Sequence, residues 1–253
     1  MTVVDVESLS VRTAGGSSLL DEVSLSVAAG ETLLLCGAPG AGKTLLAKAI
    51  EGVLRRRDDL TVDGEVRRAG DVALVFQHPE VQLVRRTVEH DAAFGLENRG
   101  VPVAEIRTRI DRYARLLGVE SLLDRGVHDL SRGETTLAAL LGVLVTEPDV
   151  VVLDEPLTAL DHRNAELVLG AIDRLRSHGT AVVVAEHDLR DLLPRADRAV
   201  VLDDGRVRET GDPRHVAETL RAVGAKLPVA TELALERGVR GDDVPLTTDE
   251  LRQ

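Results

Sequence analysis

The order of apolar and polar positions along the chain predicts an alternation of short strands and helices. Apolar runs at positions 32–36, 150–153 and 180–185 predict buried strands, because both faces of a strand inside a parallel sheet are covered. Positions 45–50 and 163–177 follow two of these runs with helical spacing. The chain is therefore predicted to have an α/β fold built on a mixed or parallel central sheet.

The first part of the chain carries a second, strand-rich pattern. Four segments have the alternation or the short apolar character of strands, at positions 3–11, 22–27, 62–66 and 72–76. Positions 14–18 predict a turn, and the dipeptides Asp63-Gly64 and Ala69-Gly70 are further turn signals. We expect the first two, at positions 3–11 and 22–27, to form a small antiparallel sheet beside the strand at positions 32–36.

The pattern becomes helical after Gln77 and returns to α/β near position 150. Thr87 can cap a helix at positions 87–98, and Pro102 can start another that Gly118 ends. We predict a helical subdomain at about 79–146, inserted into a domain of residues 1–211, and a helical carboxy-terminal extension at 212–253. The domain is predicted to end with a hairpin at 198–202 and 206–209. The extension is predicted to contain helices at 213–223, 230–236 and 248–252.

Composition indicates a globular protein. Hydrophobic residues make up 43% of the 253 residues, and no apolar run approaches the roughly 18 residues of a membrane span. The amino terminus lacks the pattern of a signal peptide, and the single cysteine, Cys36, cannot form an internal disulfide. We expect a cytoplasmic protein.

The charge balance is strongly acidic, with 43 acidic against 31 basic residues and a net charge of −12. Only three of the basic residues are lysines; the others are arginines. Such a surface resembles that of proteins from salt-in halophiles, where salt screens the self-repulsion. The alternative explanation is a high-GC genome, which favours arginine over lysine, together with an ordinary acidic surface. In either case the negative net charge argues against nucleic acid as a partner, because nucleic-acid binding needs a basic surface.

The most specific motif is an octet between the strand at 32–36 and the helix at 45–50. It fits the phosphate-loop pattern, in which glycines let backbone N–H groups surround a phosphate at a helix N-terminus. A lysine then reaches the outer phosphates, and a hydroxyl holds Mg²⁺. The residues are Gly37, Ala38, Pro39, Gly40, Ala41, Gly42, Lys43 and Thr44.

Two adjacent carboxylates end the apolar run at 150–153. Asp154 leaves the strand where Mg²⁺ bound to Thr44 needs a partner carboxylate, and Glu155 is placed to polarise an attacking water. Three weaker signals accompany them, and each alone is more often structural. Ser131 and Gly133 open a helix, His187 follows a strand, and Gln77 ends one.

Together these motifs resemble the nucleotide-binding subunit of ATP-binding cassette (ABC) transporters, over about residues 3–209. The resemblance assigns Walker A to residues 37–44, the Gln-loop to Gln77 and the switch histidine to His187. It places the signature motif at 130–134, Walker B with its catalytic glutamate at 150–155 and the D-loop at Ala159-Leu160-Asp161.

A narrower resemblance points to the ATPase subunits of energy-coupling factor transporters, which import vitamins or transition-metal ions. It rests on positions 75–83 and 87–98, and on a tail that includes 220–224 and Leu227-Pro228.

The resemblance implies a subunit that binds ATP and Mg²⁺ and works as a pair, as a homodimer or with a second ABC ATPase. ATP on one protomer is closed over by Ser131 and Gly133 of the other. Thr44, Gln77 and Asp154 bind the metal, and Glu155, Gln77 and His187 serve hydrolysis. The implied partners are a transmembrane scaffold subunit and a substrate-binding membrane subunit, at the cytoplasmic face of the cell membrane.

The sequence departs from the family pattern at three places. The signature has Arg132 and Glu134, and Arg132 either pairs with Glu134 or adds positive charge near the γ-phosphate. Thr135 and Thr136 follow where basic or amide residues are usual. Finally, positions 11–13 lack the aromatic that stacks on adenine, so we expect weak discrimination between ATP and GTP, with Arg12 as a substitute platform.

Two other functions compete with the transporter subunit. A soluble ABC ATPase usually carries two cassettes or long coiled-coil or zinc insertions, whereas this chain shows one cassette and no such insertion. A phosphate-loop kinase leaves residues 130–134 and His187 unexplained.

Overall fold

The computed structural model describes residues 1–56, 59–158 and 160–252, and it contains two β-sheets in that part of the chain. The larger sheet has six strands in the order β5-β6-β7-β3-β8-β9. They are β3 (Thr32–Cys36), β5 (Val72–Val75), β6 (Val150–Asp154), β7 (Ala181–Ala185), β8 (Arg198–Asp203) and β9 (Arg206–Gly211). All neighbours are parallel except the hairpin β8–β9, which confirms the predicted mixed central sheet.

Strands β3, β6 and β7 are buried along their whole length, and their alternate side chains enter two different hydrophobic cores. Leu34 and Cys36 face the core formed with most of the helices, whereas Leu33 and Leu35 face the core shared with the smaller sheet. A continuous apolar run is therefore required here, because a polar residue on either face enters a core.

The smaller sheet is antiparallel, as predicted, with the order β2-β1-β4 for β1 (Thr2–Thr13), β2 (Ser18–Ala28) and β4 (Leu60–Arg68). The prediction of a turn at Asp63-Gly64 is wrong, because both residues lie inside β4. The β1–β4 register shifts between Glu7 and Ser10, opposite Gly64, which has φ +92°. Glycine marks a bulge here and not a chain reversal.

The predicted helices form with small changes in their bounds. Thr87 caps the second helix through its side chain, and Gly118 ends the third in a left-handed conformation. The helix predicted at 213–223 is wrong at its start, because it begins only at Ala217, and positions 250–252 form a single 3₁₀ turn. The helices are α1 (Lys43–Glu51), α2 (Val88–Asn98), α3 (Val103–Leu117), α4 (Arg132–Leu144), α5 (His162–Ser177), α6 (Ala217–Ala222) and α7 (Val229–Glu236).

Residues 213–252 form a carboxy-terminal segment with its own polar contacts. Arg240 pairs with Glu218, and the Thr231 hydroxyl donates to the carbonyl of Pro245 at 2.6 Å. Leu227 is buried in the core that also contains the inner faces of the helices. None of the helices in the described ranges has the length and hydrophobicity to span a bilayer.

We expect Gly64→Ala to destabilise the protein by about 2–4 kcal/mol, since a Cβ there adds a clash to the cost of a positive φ. That Cβ would lie 2.5 Å from the carbonyl oxygen of Ser8. The measurement is denaturant unfolding of the full chain at constant KCl.

Gly16→Ala is the matched control, because Gly16 has φ +84° but a Cβ there meets no described atom within 4 Å. It should cost about 1 kcal/mol. Equal losses for the two variants would contradict the close approach at the bulge.

Candidate functional site

The phosphate-loop octet joins β3 to α1, as the sequence predicted. Gly37 leaves the strand with φ +151°, and a Cβ on it would lie 2.3 Å from the carbonyl oxygen of Leu202. Only glycine lets the loop start this close to β8. Pro39 and Gly40 are exposed at the tip, and α1 begins at Lys43, so the N-terminus of the helix faces into the loop.

Lys43 lies inside this loop and is 5% exposed. Its Nζ donates to the carbonyl oxygens of Gly37 at 2.9 Å and Ala38 at 3.0 Å. Burial lowers the pKa of Lys43, and the nearby Glu155 carboxylate opposes that shift. The loop therefore holds a partly desolvated ammonium group, which is suited to attract the charge of a phosphate.

The predicted metal ligands Thr44 and Asp154 lie in contact. The Thr44 hydroxyl donates to Asp154 Oδ1 at 3.0 Å, although the residues are 110 positions apart. Asp154 ends β6 and is 2% exposed; burial raises its pKa, and the Thr44 hydrogen bond opposes that. A hydroxyl and a carboxylate are hard oxygen donors, so this pair fits Mg²⁺. Gln77, the third predicted ligand, contacts Glu155 instead.

The three predicted catalytic side chains meet at Glu155. Gln77 Nε2 donates to Glu155 Oε2 at 2.7 Å, and His187 Nδ1 lies 3.7 Å from Glu155 Oε1. The Thr158 hydroxyl donates to the same Glu155 Oε2 at 3.3 Å. Glu155 has φ +48°, which turns the chain sharply away from β6 and aims its carboxylate at the other two groups.

Sequence reasoning missed Glu186, which is 1% exposed beside His187. Its Oε1 accepts hydrogen bonds from the backbone N–H groups of His187 at 2.9 Å and Asp188 at 3.3 Å. The same oxygen is 3.0 Å from His187 Nδ1 but outside hydrogen-bonding geometry, and Oε2 has no partner among the described residues. Burial raises the pKa of Glu186. The sequence signal that could have identified Glu186 is its position as an acidic residue directly after an apolar strand.

The predicted signature residues lie at the start of α4. Ser131 caps α4 in a capping box: its own N–H donates to Glu134 Oε2 at 2.7 Å. Glu134 pairs with Arg125 at 2.5 Å, so the idea that Arg132 pairs with Glu134 is wrong, and Arg132 is exposed. Gly133 is buried against Asn164, whose Nδ2 would lie 2.4 Å from an added Cβ.

The residues of the D-loop motif lead into α5. Asp161 caps that helix, and its Oδ1 accepts from the backbone N–H of Asn164 at 2.8 Å. Leu160 is partly buried against the helical core. Ala159, the first residue of the predicted motif, lies outside the described residues.

A cleft of about 440 Å³ opens in front of the phosphate loop. Arg12, the predicted adenine platform, does not line it; its guanidinium is 3.3 Å from Asp63. Leu19 lines the cleft and is 37% exposed, unusually high for a leucine. Ser131 and Gly133 do not line it either. The lining residues are Leu19, Pro39, Gly40, Gly42, Lys43, Thr44, Leu45, Lys48, Gln77 and Glu155.

Comparison with known proteins finds one family pattern, described as ABC transporter, which matches residues 20–158. The energy-coupling factor transporter ATP-binding protein EcfA of Methanocaldococcus jannaschii is 32% identical, over 97% of this chain and 92% of its own length. EcfA1 of Symbiobacterium thermophilum is 38% identical, over 92% and 86% of the two chains.

Solved structures have the same fold. The structure of cbiO1 from Clostridium perfringens, described as part of the ABC transporter complex cbiONQ, superimposes with a TM-score of 0.77 at 28% identity. The alignment covers 94% of this chain and 99% of that one.

We expect Leu19→Ala to weaken ATP binding three- to tenfold, because an apolar contact of about 1 kcal/mol with the base is lost. ATP and GTP should bind with similar affinity, since an aliphatic side chain does not distinguish the two bases. Both are measured by calorimetric titration of the full chain at high KCl.

Arg12→Ala is the control and should leave both affinities within about twofold, since its partner is Asp63. A greater loss for Arg12→Ala than for Leu19→Ala, or a strong preference for ATP, would contradict this assignment.

Proposed function

The chain belongs to the family of ATP-binding subunits of ABC transporters, and we propose that it is the ATP-hydrolysing motor of an energy-coupling factor importer for a vitamin or a transition-metal ion. The observation that supports it most is the meeting of Gln77, Glu155 and His187 beside the phosphate loop. These residues come from three separate strand ends, and a simple nucleotide-binding loop needs none of them.

Hydrolysis is proposed to proceed by in-line attack of water on the γ-phosphorus. The new P–O bond forms as the bond to the β–γ bridging oxygen breaks, ADP leaves, and the proton of the water passes to the released phosphate. Glu155 orients the water, Gln77 fixes the Glu155 carboxylate, and His187 contacts the γ-phosphate. Lys43 neutralises charge on the outer phosphates, and Thr44 with Asp154 would hold Mg²⁺, which supplies further charge neutralisation.

The position of the signature residues supports action as a pair. Ser131 and Arg132 are exposed and do not line the cleft of their own chain. A capped helix N-terminus with an accessible hydroxyl suits an anion presented from outside. We therefore propose that Ser131 and Gly133 close over ATP held by a second ATPase subunit, which is either another copy of this chain or a different one.

The membrane partner is proposed to dock near the start of α2. Val81 and Val84 are 67% and 61% exposed there, on the segment that follows Gln77. Beside them is a cleft of about 430 Å³ lined by Val84, Arg85, Arg86, His90 and Glu97. Since Gln77 contacts Glu155, a movement of this segment can reach the hydrolytic site. On this basis we propose that the protein acts at the cytoplasmic face of the membrane.

A pull-down of tagged full-length protein from native membranes in molar KCl tests the function. We expect a polytopic scaffold subunit and a small membrane-embedded subunit to co-purify, identified by mass spectrometry, and the small subunit would indicate the cargo. Val84→Asp should lose both, because it places a charge in the docking surface. Val103→Asp is the control, since Val103 is equally exposed on α3.

Recovery of soluble partners only would overturn the transport function and favour a soluble ABC ATPase.

We expect Glu155→Gln to lower kcat for ATP hydrolysis at least 100-fold, because the amide cannot polarise water, while ATP affinity stays within about threefold. Phosphate release by the purified assembly measures the first quantity, and equilibrium titration measures the second.

Glu120→Gln, at an exposed carboxylate outside the cleft, is the control for charge loss. Hydrolysis unchanged in Glu155→Gln would show that the nucleotide held by this chain is not the one hydrolysed.

A further inference from the structure

In the described part of the chain, the carboxy-terminal segment, residues 213–252, makes polar contacts with residues 1–211 at a single position of the segment. Within the described part of the chain, every hydrogen bond and ion pair between this segment and residues 1–211 involves Lys226. The other polar contacts of the segment, such as Arg240 with Glu218, remain inside it or reach no further than Asp212. Its remaining attachment is apolar packing against the helical core.

The partner of Lys226 is the loop that carries the switch histidine. The backbone N–H of Lys226 donates to the carbonyl of His187 at 3.0 Å, and its carbonyl accepts from the N–H of Leu189 at 2.8 Å. These two bonds form a parallel bridge that pairs Lys226 with Asp188. The Lys226 Nζ lies 3.4 Å from Asp188 Oδ2, and Arg190 and Lys226 lower the pKa of Asp188.

This bridge completes the fixation of the loop. From inside, Glu186 accepts the N–H groups of His187 and Asp188. From outside, Lys226 accepts the next N–H, that of Leu189, and binds the carbonyl of His187. The polar backbone groups around the imidazole are thus held by Glu186 and by Lys226. Of these, only Glu186 directly follows a strand of the central sheet.

The segment fixes the residues on both sides of Lys226. Its neighbours Ala225 and Leu227 are 6% and 3% exposed, and the Ala225 N–H donates to the carbonyl of Leu220 at the end of α6. A displacement of α6 or α7 therefore moves the bridge. Lys226 also lines a cleft of about 370 Å³ together with Leu160, Glu186 and His187, so the bridge lies where the D-loop and the switch loop meet.

We propose that Lys226 is a positioning residue for His187, and that the carboxy-terminal segment sets the rate of ATP hydrolysis through this bridge. The proposal rests on the function proposed above for His187. A shift of the imidazole by a fraction of an ångström changes its contact with the γ-phosphate, and misplacement on this scale reduces turnover more than binding.

The test compares ATP hydrolysis by the assembly that contains full-length protein with three substitutions. Lys226→Pro removes the N–H that binds His187, and we expect kcat to fall about tenfold with KM for ATP within twofold. Lys226→Met removes only the exposed ammonium and should lower kcat less, by about twofold. Arg240→Met removes an ion pair within the segment at similar exposure and should change neither quantity.

The His187→Ala background separates the possible failures. If Lys226 acts through His187, Lys226→Pro should cause no further loss once the imidazole is absent. The same tenfold loss in that background would overturn the positioning role, and an unchanged kcat in Lys226→Pro would overturn it as well. If His187→Ala alone leaves kcat unchanged, the proposed role of the histidine fails instead.

Hydrogen exchange gives a second readout, which remains decisive if Lys226→Pro does not fold. The peptide covering positions 186–190 should exchange faster in Lys226→Met than in Arg240→Met, since only the first variant loses the contact between the ammonium and Asp188. Equal exchange in the two variants would show that the Lys226 side chain does not hold the loop. Circular dichroism establishes which variants are folded.

Discussion

The parallel pairing of β3, β5, β6 and β7 is the constraint on which the site depends. Parallel strands end at the same edge of a sheet, and the register pairs Asp154 with Ala185 and Leu35 with Ala185. Each side chain proposed to act in hydrolysis follows one of these ends, at Lys43, Gln77, Glu155 and His187. A slip of one residue in β6 would turn Asp154 away from Thr44, because alternate side chains point to opposite faces.

This arrangement buries ionisable side chains, which is unfavourable for the free energy of folding. Lys43, Asp154 and Glu186 are each at most 5% exposed, and burial disfavours the ionised form of all three. The attraction between Lys43 and the carboxylates offsets part of that cost. Backbone hydrogen bonds of Lys43 and Glu186 offset a further part, and the Thr44 hydroxyl does the same for Asp154. Glu186 keeps one oxygen unpartnered among the described residues, so part of its burial cost is not offset by a hydrogen bond.

The proposed closure of a second subunit over the cleft rests on where the chain holds two sets of residues. The phosphate loop, Glu155 and His187 follow strands of the larger sheet, whereas the signature residues lie at the capped start of α4 and do not line the cleft. The carboxy-terminal segment also contacts the switch loop, through Lys226. In the function proposed here, the nucleotide, the partner ATPase and the carboxy-terminal segment all act around Glu155 and His187.

The sequence by itself determined the phosphate loop, the carboxylates that end β6, the strand and helix order and the family, because these depend on local spacing and on residue type. It predicted a turn at Asp63-Gly64 because that dipeptide is a turn signal. The structure has a bulge there instead, because β4 pairs with β1 on both sides of this position. Only the tertiary structure decided that Arg125 and not Arg132 pairs with Glu134, that Leu19 and not Arg12 borders the cleft, and that Lys226 binds the switch loop. Each of these contacts joins residues whose meeting depends on how strands and helices pack, and no local pattern records that packing.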